Sequence, residues 1–149
     1  MKRSALICLA ALLAAPALAA DYSAYSPEAR GIAAVEVPTV KLPFCDDAGV
    51  FRKIASAFAD KESEYWQSDA RLLTFEQPVE IGYRPWGIEY IPRRFCRART
   101  TVSTGAVHEV YYSVGYKLGT LGVVHGVDWC VTGYDRNLAF APDCKMAAP

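Results

Sequence analysis

Arg93-Arg94-Phe95-Cys96-Arg97-Ala98-Arg99-Thr100-Thr101-Val102-Ser103-Thr104-Gly105-Ala106-Val107-His108-Glu109-Val110 is the stretch on which the fold turns. In an extended chain successive side chains point to opposite faces, so Cys96, Ala98, Thr100 and Val102 share one side and Arg93, Phe95, Arg97 and Arg99 the other. The first set is small or apolar and the second largely cationic, the signature of a strand with one buried face. Ser103-Thr104-Gly105 then reads as a hairpin turn, because glycine enters positive φ without steric cost. The return strand is Val107 to Val114.

Period-two patterning continues on both sides of this hairpin. Leu72 to Phe75 with Val79 to Tyr83 precede it, and Val127 to Tyr134 follow, with Val127, Trp129 and Val131 as core positions. Upstream the period changes to that of a helix. Val50, Phe51, Ile54, Phe58 and Tyr65 recur at three-to-four spacing, while Arg52, Lys53, Asp60, Lys61 and Glu62 take the other side. Asp46 or Asp47 is placed to cap the helix and complement its dipole. One N-terminal amphipathic helix followed by about four strands defines an α+β class, with the helix packed on a curved antiparallel sheet. Cystatin-like helix-on-sheet folds share this order, an architectural likeness that carries no function.

The N-terminus reads as an address. Lys2 and Arg3 form a basic head, Ala5 to Ala15 is an unbroken apolar run, and Pro16-Ala17-Leu18-Ala19 gives the small-residue pattern of signal cleavage. So short a run cannot cross a hydrocarbon core of about 30 Å, and no later segment is apolar enough to span. Cys8 lies inside the run and behind bulky Ile7, which excludes a lipid-attachment cysteine. Residues 1–19 are therefore expected to be a signal peptide. Residues 20–43, with Pro27, Pro38 and Pro43 and a short edge strand near Val35-Glu36-Val37, form an extended leader, and 44–149 a single domain. Removing nineteen residues from 149 leaves 130, enough for a real core. Sixteen basic residues balance sixteen acidic ones; losing Lys2 and Arg3 leaves a mature charge of −2. That balance excludes a basic nucleic-acid module and an acidic disordered tail, and gives no steering toward membranes or polyanions.

Without Cys8 the cysteines are Cys45, Cys96, Cys130 and Cys144, an even set in an exported chain. Their separations of 51, 34 and 14, with no Cys-x-x-Cys pair, match no usual zinc pattern. Four cysteines allow three pairings. Parity turns Cys96 inward toward Cys45 at the helix start. It turns Cys130 to the outer face, where the tail from Asn137 folds back to Cys144. The expected bridges are thus Cys45–Cys96 and Cys130–Cys144.

Candidate sites are few. Arg93, Arg97 and Arg99 with Phe95 form a cationic strip whose guanidinium forks suit carboxylates or phosphates, and Trp86 and Tyr90 extend it. The same arginines also pair naturally with cross-strand acids such as Glu109. Gly115 to Gly126 lacks the Gly-Lys-Ser/Thr ending of a phosphate loop and reads as a wide turn. A small hydrolase or isomerase would use His125 with Asp128 and Tyr116, but no nucleophile elbow accompanies them, and the cysteines are committed to bridges. Asp135-Arg136-Asn137 reads as a turn held by side chains.

The run Val127-Asp128-Trp129-Cys130-Val131-Thr132-Gly133-Tyr134-Asp135-Arg136-Asn137-Leu138-Ala139-Phe140-Ala141-Pro142-Asp143-Cys144, with Ile91-Pro92-Arg93-Arg94-Phe95-Cys96 and Phe44-Cys45-Asp46-Asp47, resembles a family of uncharacterised small exported bacterial proteins. The resemblance covers most of the mature chain and implies export and paired cysteines. It implies no activity. The expectation is a periplasmic or secreted non-catalytic binding module without metal or cofactor, acting on an unknown protein or anionic ligand. Nucleic-acid binding and membrane insertion are not expected, and an enzyme inhibitor is the remaining alternative.

Overall fold

The computed structural model describes residues 40–85 and 91–149. The expected signal peptide, most of the leader with its edge strand, and Trp86 and Tyr90 lie outside these residues. Helix α1 spans Ala48–Trp66, and four strands follow: β1 (Leu72–Arg84), β2 (Arg93–Val102), β3 (Val107–Gly115) and β4 (Gly126–Val131). They form one antiparallel sheet in the order β1-β2-β3-β4. The helix packs on one face, as the α+β reading requires.

Asp47 starts α1. Its Oδ1 accepts hydrogen bonds from the backbone N–H groups of Gly49 (2.7 Å) and Val50 (3.0 Å), satisfying two donors that the first turn leaves unpaired. Val50, Ile54 and Phe58 are buried against Ala98, Val102, Val110, Tyr112 and Val131. Each such side chain contributes about 1.5–3 kcal/mol by leaving water. Aromatic contacts fill the seam: Phe51 stacks on Phe75 at 4.4 Å, and Phe58 lies 5.1 Å from Tyr134 and 5.9 Å from Trp129.

The parity of β2 is as read. Cys96, Ala98, Thr100 and Val102 are all buried on the helix side. The Cys45–Cys96 bridge, with Cα atoms 5.7 Å apart, ties the start of α1 to that central strand. Beside it the Tyr112 hydroxyl donates to the Cys45 carbonyl oxygen. The Cys130–Cys144 bridge lies on the opposite face, with Cα atoms 5.6 Å apart, where Ala147, Phe140 and Tyr111 build a second small core over it.

Three details depart from the sequence reading. Tyr65 is 67% exposed, and the inward position it was expected to occupy belongs to Glu62, expected outside. The two apolar runs before Arg93 join into one strand, whose register slips at Gln77-Pro78, where Gln77 has φ 51° and the proline donates no hydrogen bond. The last strand stops at Val131, because Gly133 takes φ 79° and turns the chain out of the sheet.

Candidate functional site

Register fixes the outer face of β2 row by row. Arg99 stands between Glu76 on β1 and Glu109 on β3, Arg97 between Val79 and Tyr111, Phe95 between Gly82 and Ser113, and Arg93 between Arg84 and Gly115. Cross-strand neighbours this close interact directly. Arg97 Nη1 lies 3.4 Å from Glu109 Oε1, and the Tyr111 hydroxyl donates to Glu109 Oε2 at 2.9 Å. Arg93 Nη1 donates to Asp128 Oδ2 at 2.6 Å and to Ser113 Oγ at 3.0 Å. The Arg99 guanidinium makes no hydrogen bond or ion pair among the described residues.

The C-terminal tail covers one side of this face. Asp135 starts its course by accepting the backbone N–H groups of Ala139 (3.0 Å) and Phe140 (2.8 Å), the side-chain-held turn expected there. Beyond the Cys130–Cys144 bridge, Pro149 reaches Gly82, where an added Cβ would sit 2.8 Å from the proline Cγ. Phe95 is consequently 7% exposed, with the Arg84 guanidinium 5.6 Å from its ring, so it serves as packing on this face and not as an open contact. What remains open is a strip of Glu76, Val79, Arg97 and Arg99, edged by half-buried Glu109 and Tyr111. The cationic strip read from the sequence is therefore of mixed charge.

Tyr111 and Tyr112 both hold their protons more tightly than a free tyrosine. For Tyr111 the hydrogen bond to Glu109 is the main cause, followed by burial and the Glu109 charge, with Arg97 opposing. For Tyr112 burial dominates, aided by the charge of Asp46. In the unfolded chain these phenols titrate near 10.0, whereas in the folded chain they stay protonated to higher pH. Their contribution is thus complete below that value and is lost as pH climbs through the folded pKa values. The expected result is a urea midpoint that falls steadily from pH 9 to 11, less steeply in a Tyr112→Phe variant.

Two constellations escaped the sequence reading. Glu62, 1% exposed, pairs with Arg136 at 3.0 Å, and the Arg136 guanidinium lies 5.2 Å from the Trp66 ring and 5.5 Å from Tyr134. His108 meets Tyr134 edge to face at 5.2 Å. This cluster joins the end of α1 to the turn after β4, beside a shallow depression of about 140 Å³ lined by Gly133, Asp135, Arg136, Leu138 and Asp143. Positions 50, 54, 58 and 62 all lie four apart, a signal that would have placed Glu62 on the buried line. At the other end Arg94 sits 4.6 Å from the Phe44 ring and 5.7 Å from Tyr83. Its Nη1 donates to the carbonyls of Leu42 and Pro43, and its Nε lies 2.7 Å from Glu80 in an ion pair of poor hydrogen-bond angle. Both are anchors of chain segments.

The enzyme alternative named His125, Asp128 and Tyr116. Asp128 is engaged by Arg93, and among the described residues no hydrogen bond or ion pair joins it to His125, whose Nδ1 is buried without a partner. Tyr116 lies 6.3 Å from His125, ring to ring. Among the described residues no group of three His, Cys, Asp or Glu is placed to hold a metal, and no helix is long and apolar enough to cross a membrane. Compared with known proteins, the chain matches no family model, no curated protein and no solved structure.

Proposed function

We propose that the chain is an exported, non-catalytic binding module that works in the periplasm or outside the cell and engages a protein partner through the open strip on β1–β3. The observation that carries this reading is the pair Arg97 and Arg99 on a sheet stapled at two points, Arg97 flanked by Val79 and Tyr111 and the Arg99 fork without a hydrogen bond or ion pair among the described residues. The strand fixes the backbone positions of both arginines, so docking a carboxylate costs side-chain ordering alone and no rearrangement of the chain. The acids Glu76 and Glu109 within the strip favour a partner whose own charges alternate over a uniform polyanion such as nucleic acid. Paired cysteines support an oxidising compartment.

Arg97→Glu combined with Arg99→Glu reverses two exposed charges without touching the core. The variant is expected to stay folded while melting slightly below wild type, since the new carboxylates face Glu76 and Glu109, and to lose the partner that wild type retains on affinity capture from an envelope extract. Equal recovery by both proteins would remove the strip as the binding surface.

A further inference from the structure

The β3–β4 connection carries a feature that folding does not explain. From Leu118 to Val124 the chain holds no charged residue. Leu121 is 92% and Val123 74% exposed, and Leu118 and Val124 are also open to solvent. Leu121 sits besides at φ 56°, a left-handed conformation that asparagine or glycine adopts more readily. A polar residue there would serve the fold better on both counts. Such a double departure from local preference is characteristic of sites kept for function.

The tip is presented by a packed neck. Gly115 and Gly126 face one another in register, and Leu118 fills the room their missing side chains leave: a Cβ on Gly115 would lie 2.3 Å from Leu118 Cδ1. The Gly119 N–H donates to the Val124 carbonyl at 2.9 Å and closes the tip. Two cations ring the base. Lys117 Nζ lies 5.3 Å from the Tyr116 ring centroid, and Lys53 reaches from α1 to donate to the His125 carbonyl at 3.3 Å. Between Gly115 and Val127 there is no acidic residue.

We propose that this loop docks on an anionic lipid surface, with Leu121 and Val123 entering the boundary between headgroups and acyl chains and Lys53, Lys117 and Tyr116 at headgroup level. Charge complementarity names the occupant: an apolar tip collared by cations and free of acids matches a negatively charged headgroup layer over hydrocarbon. Nothing spans the bilayer in this mode. The mature charge of −2 is compatible with it, since the collar is local. The surface lies at a loop apart from Arg97 and Arg99, so it stands independently of the partner-binding strip.

The test is co-flotation of the oxidised mature protein with vesicles of phosphatidylcholine alone and of phosphatidylcholine mixed with phosphatidylglycerol. Wild type is expected to float with the mixed vesicles and not with phosphatidylcholine alone. Leu121→Asp with Val123→Asp should weaken that binding by more than about tenfold. Lys53→Glu with Lys117→Glu should remove the preference for the anionic lipid, and Arg97→Glu with Arg99→Glu should leave it intact. All these side chains are exposed, and an unchanged circular dichroism spectrum verifies the fold. Wild type that floats with neither vesicle, or an aspartate variant that floats like wild type, would overturn the proposal.

Discussion

Replacing Cys45 and Cys96 together with alanine is expected to lower the free energy of unfolding by about 4 kcal/mol, the chain-entropy value for a loop of some fifty residues. The two cysteines stand 51 positions apart, so their bond removes much of the freedom of the unfolded segment between helix and central strand. The native state loses as well. Cys96 is fully buried beneath α1, and the Cys45 carbonyl accepts the Tyr112 hydroxyl, so loosening the helix start leaves a buried phenol without its partner. The Cys130–Cys144 bridge spans 14 positions and holds a tail over the outer face. Its removal should cost less, about 3 kcal/mol, and leave the main core standing. Urea titrations of the two double variants beside oxidised wild type measure both values. A loss below about 1 kcal/mol for the first pair would show that the core alone fixes the helix.

Arg136→Ala is expected to cost about 2 kcal/mol: it strands the buried Glu62 carboxylate, but the Arg136 side chain is 37% exposed, so the loss is smaller than for a fully buried pair. Glu62 is the group left behind, at 1% exposure between Phe58 and Trp66 on the inner side of α1. Arg136 also lies against Trp66 and Tyr134, so its loss opens an aromatic stack. Arg136→Lys should recover only part of the loss, because an ammonium lacks the planar fork that pairs and stacks at once. Glu62→Leu combined with Arg136→Leu should be more stable than Arg136→Ala alone, since no charge then remains buried. Denaturant midpoints of Glu62→Leu, Arg136→Leu and their double form a cycle that checks this. Single variants that lose nothing would mean that water reaches the pair.

The sheet was legible because alternation is a local property. Cys96, Ala98, Thr100 and Val102 needed nothing but the pleat to be placed inside, and parity favoured, among three possible pairings, the one that the structure has. The helix cap was readable locally as Asp46 or Asp47, and the structure selects Asp47. What could not be read depends on partners far along the chain. Glu62 looks like a surface residue until Arg136, 74 positions later, is brought over it. Phe95 looks like part of an open surface until the tail carries Pro149 to Gly82. The arginines of the strip were matched only collectively with acids such as Glu109; the register puts Arg99 directly opposite that acid, while Arg97 reaches it diagonally. Leu121 gave no sign in sequence, because a lone leucine in a glycine-rich turn is ordinary until its backbone angle and exposure are known.

Export of the chain and oxidation of its cysteines underlie the whole functional reading. The intact mass of the protein recovered from the envelope fraction without reductant tests them together. A chain beginning near Ala20, four hydrogens lighter than its reduced form and inert to thiol alkylation, is the expected product. A full-length chain that retains residues 1–19 and takes up alkylating reagent at every cysteine would contradict it.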